Sequence, residues 1–247
     1  PSARVYSEIG FHDDSTLAQI APSGLFGFDA SGPTAMRFEN PLLSADWKKQ
    51  LGLSAAGQTA EALIFRRNVE GGGRQDDIRH TSYRGVMGVK GELPFAKDWN
   101  YDAFMQYGKV VYQETYKADF SRTRANRAMD VVTNPATGQP ACRSVVDGTD
   151  PNCVPYDIWR LGAVSQGALA YLQTPGFKKG FTSQSVQGVS VSSDLGAYGW
   201  KLPSAKNGVS VAFGLERRTE KLDLQTDVEF ATGDLFGQGG NTVGMAG

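Results

Sequence analysis

The stretch that decides the fold is Thr81-Ser82-Tyr83-Arg84-Gly85-Val86-Met87-Gly88-Val89-Lys90-Gly91-Glu92-Leu93, the turn Pro94-Phe95-Ala96-Lys97-Asp98, and Trp99-Asn100-Tyr101-Asp102-Ala103-Phe104-Met105-Gln106-Tyr107. Every second residue is almost free of charge: Thr81, Tyr83, Gly85, Met87, Val89, Gly91 and Leu93, then Trp99, Tyr101, Ala103, Met105 and Tyr107. The residues between are mostly polar: Ser82, Arg84, Lys90, Glu92, Asn100, Asp102 and Gln106. Side chains alternate across a strand, so this hairpin carries one apolar and one wet face. A strand crossing a membrane barrel needs about 9–11 residues, polar toward the lumen, with aromatics at the two interfaces. Tyr83, Trp99, Tyr101 and Tyr107 fall near the hairpin's ends, where interface aromatics belong.

The same alternation predicts strands near 4–11, 61–69, 79–93, 99–117, 181–195, 207–219 and 221–230. Val209, Val211, Phe213 and Leu215 alternate with smaller or polar neighbours, as do Leu222, Leu224, Val228 and Phe230. After Tyr107 the pattern weakens, as expected of a strand that leaves the bilayer and continues in water. Two long segments interrupt the strands, at about 16–60 and 118–180. In the first, Ser44 can cap a helix that Gly52 stops, with Asp46 at its positive end. In the second, Ala125, Ala128, Met129 and Val132 have helical spacing up to Asn134-Pro135, and another short helix starts at Ser165 and ends before Pro175. Connections this long are uncommon unless they carry function.

The chain has 247 residues, with 25 basic and 26 acidic side chains and a net charge of -1, so nothing global points to nucleic acid. Mean hydropathy is -0.34. A barrel alternates apolar and polar residues, so its mean hydropathy stays low. Both ends read as cut: the chain opens inside a strand-like alternation, without a signal peptide, and closes without a finishing element. Cys142 and Cys153 lie in one polar segment. A bridge there would be worth about 3 kcal/mol and implies an oxidising compartment. The alternative is two free thiols in a cytosolic loop; the absence of nearby metal or redox chemistry favours the bridge.

Enzyme signals are weak, and no catalytic residue and no cofactor are expected. The two histidines, His12 and His80, are far apart in sequence. Gly71-Gly72-Gly73-Arg74 lacks the Lys and Ser/Thr of a phosphate loop and reads as a hairpin turn. Asp13-Asp14 and Asp76-Asp77 point to opposite faces of a strand and read as solvated turn residues. Asp147-Gly148-Thr149-Asp150-Pro151-Asn152 offers oxygens to calcium but lacks full ligand spacing and a closing Glu, so a plain turn is the preferred reading and no metal site is expected. Arg66-Arg67 and Arg79-His80 form a local basic cluster that suits anionic or polar solutes, or serves only to keep a strand edge soluble.

Several longer stretches resemble, in order along the chain, one group of TonB-dependent outer-membrane receptors: Asn40-Pro41-Leu42-Leu43-Ser44, Phe65-Arg66-Arg67-Asn68-Val69-Glu70-Gly71-Gly72-Gly73-Arg74, His80-Thr81-Ser82-Tyr83-Arg84, Trp99-Asn100-Tyr101-Asp102, Asp147 through Tyr156, and Gly233-Asp234-Leu235-Phe236-Gly237-Gln238-Gly239-Gly240. The resemblance implies a 22-stranded barrel with an internal plug that imports a scarce solute with energy delivered by TonB. The chain holds no plug, no TonB-binding segment and no closing C-terminal aromatic. The expectation is therefore an all-β fold, residues 1–247 forming an antiparallel transmembrane β-barrel segment with long extracellular loops carrying short helices, in a bacterial outer membrane. Its partners would be the rest of its own receptor chain, TonB through the missing plug, outer-membrane lipid and an unknown solute. Arg66, Arg84, Trp159 and Arg160 are the candidate ligand contacts, with Cys142–Cys153 a disulfide. Three other readings stay open: a secreted or periplasmic β-sandwich binding module, a hydrolase on a β scaffold, and a proteolytic fragment that self-assembles through its strand edges.

Overall fold

The computed structural model describes residues 3–29, 36–238 and 240–247. Residues 30–35 of the first long segment and Gly239 lie outside them. In chain order the elements are β1 (Ala3–Pro22), β2 (Gly24–Asp29), α1 (Ala45–Gln50), β3 (Leu63–Arg67), β4 (Gly73–Glu92), β5 (Trp99–Phe120), α2 (Arg122–Met129), β6 (Val131–Thr133), β7 (Pro140–Cys142), α3 (Arg143–Val146), α4 (Gln166–Leu172), β8 (Gln173–Asp194), β9 (Ser210–Thr226), α5 (Val228–Thr232) and β10 (Met245–Ala246). One antiparallel sheet dominates, in the order β1-β4-β5-β8-β9-β10; β2-β3 and β6-β7 are small separate sheets. β1 and β10 stand at opposite ends of that order, so among the described residues the sheet is open and no barrel closes.

The strands run farther than their alternation suggested. β1 reaches Pro22 and β4 begins at Gly73, so the connection expected to start near residue 16 starts six or so residues later. The two strands expected at 207–219 and 221–230 are one strand, β9, followed by a helix. Asp227 decides this: its carboxylate accepts from the Phe230 N–H at 3.0 Å, capping α5. The Gly71–Gly73 stretch is not a hairpin turn, because β3 pairs with β2 and β4 with β1 and β5; it hands the chain from one sheet to another. α2 ends at Met129, and Val132, expected in that helix, belongs to β6. The Pro94–Asp98 turn, the Ser44 and Ser165 caps and the helices they start match expectation.

Up to the bulges before Pro22 and Asp119, pairing puts residues of like parity opposite one another across all five long strands. Val5, Val89, Ala103, Val189 and Leu215 share a row; Ala3, Gly91, Tyr101, Val191 and Phe213 share the next. The hairpin's apolar face thus extends over the whole sheet. It is uncovered: Ile9 is 92 %, Leu215 78 % and Met87 58 % exposed. The opposite face carries Arg4, Glu8, Arg84, Lys90, Asp102, Glu216 and Arg218. On it Tyr6 lies over Gly88 and Phe104 over Gly188. A Cβ added to Gly188 would stand 2.5 Å from the Phe104 ring, so only glycine admits these rings.

The longest connections leave one end of the sheet. The described residues from β2 to β3, from α2 to α4, and from α5 to the residues before β10 gather there into a cap. Its core is Leu25, Met36, Phe120, Ala125, Met129, Tyr156, Leu169, Leu172 and Phe236 around the Cys142–Cys153 bridge, whose Cα atoms are 6.0 Å apart. At the other end the connections are the Pro94–Asp98 turn and residues 195–209, tied together by Tyr198 Oη donating to the Lys97 carbonyl at 2.8 Å.

Candidate functional site

One fully buried carboxylate joins the cap to the sheet. β5 bulges between Tyr116 and Asp119, with Ala118 in the left-handed region (φ 60), and this turns Asp119 into the cap. Asp119 is fully buried. It accepts from the Ser23 hydroxyl, from the Phe120 N–H at 2.9 Å and from the Gly237 N–H at 2.8 Å. The node therefore joins β5 to the start of the first connection and to the last. Arg74 lies alongside, donating to the Ala21 carbonyl at 2.8 Å and to Tyr116 Oη at 2.9 Å. Gly237 passes so close that an added Cβ would meet the Arg74 guanidinium at 1.6 Å.

Beneath the cap, on the polar face, Glu114 pairs with Lys178 at 2.9 Å, with both side chains largely buried, and accepts from the Tyr112 hydroxyl. The Lys178 ammonium lies 4.0 Å from the centre of the Phe230 ring of α5. Neighbouring Asp76 keeps one buried carboxylate oxygen without a hydrogen-bond partner. Farther down, His12 and His80 both approach Asp14, at 3.4 and 3.5 Å.

The structure separates the four expected ligand contacts. Arg66 sits inside the cap, donating to Tyr156 Oη at 2.9 Å and pairing with Glu70. Burial pushes the Tyr156 phenol up to about 12, so it remains a neutral donor and acceptor. Burial alone would raise Glu70, but the bond and charge of Arg66 together with a backbone N–H outweigh it, and the carboxyl lies below its ordinary value. Arg66 is thus a cap strut. Arg84 lies on the polar face of the sheet, half exposed, reaching Gln106 at 3.0 Å and Glu8 at 3.4 Å. Trp159 packs edge-on against Trp47, ring centres 5.5 Å apart, and its carbonyl accepts from the Trp47 indole at 3.1 Å; its own indole nitrogen is buried without a partner. Arg160 is well exposed and held by Asp157. Arg66, Trp159 and Arg160 therefore belong to the cap and Arg84 to the wall below; no direct contact joins the two groups.

The Asp147–Asn152 turn is closed by its own bonds. Asp147 accepts from Thr149, and Asp150 is taken by Arg127 at 2.9 Å and Tyr171 Oη at 2.7 Å. Burial alone would raise the Asp150 carboxyl, but these donors hold it below its ordinary value. A depression of about 600 Å³ beside it is lined by Arg124, Arg127, Asp150, Asn152 and Tyr171. Its guanidiniums are already committed, Arg124 to the carbonyls of Tyr171 and Gln173. As the side chains stand, no three His, Cys, Asp or Glu donors among the described residues converge on one point.

Sequence spacing could not disclose Asp119, Glu114 and Lys178, or the approach of His12 to His80, because each depends on strand register. Comparison with protein-family models, curated proteins and solved structures finds no match.

Proposed function

We propose that this chain forms wall and outer surface of an outer-membrane receptor of the TonB-dependent kind, one that captures and imports a scarce solute. The observation that carries the reading is the odd-numbered face of the sheet. From Ala3 to Phe11, Tyr83 to Gly91 and Trp99 to Tyr107 it holds no charge, over about the 9–11 residues a tilted spanning strand requires. The upper limit of the apolar run shifts from strand to strand. It falls at Phe11 and Tyr83, one row lower at Tyr107, and lower again at Val189 and Leu215. Strands tilted to a flat bilayer are cut at successive registers in this way. Tyr83 and Tyr107 near one limit, and Trp99 and Tyr101 near the other, suit the two interfaces.

Three further features support the same reading. The longest connections gather at one end, the usual side for the external loops of outer-membrane barrels, while the opposite end carries the Pro94–Asp98 turn and the 195–209 connection. A disulfide in the cap suits an oxidising exterior. The ordered resemblance to receptor segments agrees with both. The apolar face would contact lipid, the polar face a lumen, and the cap, with Trp159 and Arg160, the solute. The plug, the remaining strands and the TonB contact would come from the rest of the receptor. No catalytic role is assigned. In a β-sandwich module, Tyr83, Met87, Trp99 and Met105 would be covered by a second sheet; here Tyr83, Met87 and Met105 are exposed and Trp99 is half-buried.

The test is fractionation of the natural protein. Recovery with outer membranes and a requirement for detergent are expected. A detergent-free, monodisperse monomer would overturn the reading.

A further inference from the structure

On the odd face, the first side chain beyond the apolar run toward the cap is Asp13 on β1, Thr81 on β4, Lys109 on β5, Gln187 on β8 and Arg217 on β9. At the β1 end the charge is settled within the sheet, where Arg79 holds Asp13 at 2.7 Å. At the β9 end it is not. Lys109 and Arg217 flank β8, and Lys109 and Lys221 both stand opposite Ser183. Arg217 and Lys221 are exposed, and the Lys109 ammonium rests 4.1 Å from the centre of the Phe181 ring. Among the described residues none of these three cations is in an ion pair. Between them lie Ser183, Ser185, Gln187 and Thr219, neutral donors whose side chains hydrogen-bond no other described group. The nearest carboxylate on this face, Asp223, stands one row nearer the cap, half-buried, and accepts from the Gln225 amide at 3.2 Å. Glu216 and Glu220 point to the opposite face.

Directly below this patch the same face is hollow. A depression of about 680 Å³ is lined by Met87, Ala103, Met105, Val189 and Leu215, with Gln187 and Arg217 at its rim toward the cap. We infer that the patch and the depression together bind one outer-leaflet lipid through a phosphate of its headgroup. Lys109, Arg217 and Lys221 take the phosphate oxygens, Ser183, Ser185 and Gln187 add neutral donors, and an acyl chain lies in the depression. Strands stand about 4.8 Å apart, so Lys109 and Lys221 rise about 10 Å from one another across β8, within reach of one phosphate for two such long side chains. Arg217, four residues down β9, meets the headgroup from below. Charge-assisted bonds to phosphate are the strong kind, and a guanidinium engages two oxygens at once. A phosphate that drew on the cations alone would have no use for the apolar depression; a lipid uses both. The site rests on the bilayer reading of this face, because its cations begin where the hydrocarbon would end.

The test uses the whole natural protein with a fluorophore on a cysteine at Val191, one row below the depression. It is reconstituted into phosphatidylcholine vesicles that carry a minor fraction of brominated phosphatidic acid or, separately, of brominated phosphatidylcholine. A basic side chain near an anionic lipid is worth about fivefold in binding, so phosphatidic acid is expected to quench about fivefold or more above phosphatidylcholine at equal content. The combined variant Lys109→Gln, Arg217→Gln, Lys221→Gln is expected to bring the two lipids to within about twofold of each other. The charge-matched variant of the opposite face, Arg4→Gln, Lys90→Gln, Arg218→Gln, should keep the preference, and so should the native protein with inorganic phosphate in solution. Equal quenching by both lipids in the native protein, a preference retained by the first variant, or a loss common to both variants overturns the site and leaves the bilayer face standing. Abolition by inorganic phosphate overturns the lipid as its occupant. Quenching by neither lipid overturns the bilayer face and the site together.

Discussion

Asp119 shows how much one side chain can decide. It is a buried carboxylate that accepts from the Phe120 N–H next to it and from a hydroxyl and an N–H, those of Ser23 and Gly237, drawn from distant parts of the chain. Asp119→Ala leaves those donors buried without an acceptor, and each buried donor left unsatisfied costs about 1–3 kcal/mol. Denaturant unfolding is expected to show a loss of that size, with earlier proteolysis in residues 121–172; a change under about 1 kcal/mol would remove Asp119 from its place as the anchor. Two glycines give a sharper contrast. Gly188→Ala drives a methyl into the Phe104 ring and is expected to cost about 1–3 kcal/mol. Gly85→Ala meets nothing within 4 Å and should be neutral or slightly stabilising. Equal effects would mean that the Phe104 ring does not lie where the structure places it. Neither site was legible from composition, because a bulge at residues 117–118 reorients Asp119 and because Phe104 meets Gly188 only across paired strands.

At the scale of elements, the hairpin at Thr81–Tyr107 was readable because both of its faces are chemically pure. Strand length was not. Above Phe11 and Tyr83 the odd face turns to Asp13, Ser15, Arg79 and Asp77, so alternation fades while hydrogen-bonded pairing continues. Val228 and Phe230 imitate a strand by their two-residue spacing, and only the Asp227 cap reveals α5. The Cys142–Cys153 bridge lies within the packed core of the cap. Replacing both cysteines by serine is expected to cost about 3 kcal/mol, read as a lower denaturation midpoint; no shift would show that the packed core of α2 and α4 suffices alone. The cap should also respond to acid. Asp150 and Glu70 lie below their ordinary values when folded, so their contribution is complete above the unfolded pKa of about 4 and fades as pH falls through the lower folded values. The melting temperature is expected to drop below about pH 4, and Asp150→Asn should flatten that drop. A profile level from pH 6 to pH 3 would contradict this assignment.

For the whole molecule, the two faces of the sheet cannot both meet the same solvent at low cost. Burying an exposed side chain of the size of Leu215 or Phe213 is worth about 1.5–3 kcal/mol, and the odd face displays many of them together. Soluble monomers rarely leave an apolar patch of that extent uncovered. On the proposed reading lipid would satisfy it, with the charged even face turned to a water-filled interior and the cap standing outside. Local pattern could reveal the alternation of this architecture, while the open sheet, the shared cap and the placing of Arg66 and Arg84 in different parts emerged only with the register. The most direct measurement is a parity scan of single fluorophore-labelled cysteines in the natural protein, reconstituted into vesicles containing brominated lipid. Labels at the odd positions Met87, Met105 and Phe213 are expected to be quenched, and labels at the even positions Gln106, Ser190 and Arg218 to be spared. Equal quenching at both parities, or none at the odd positions, would contradict the assignment of this face to the bilayer.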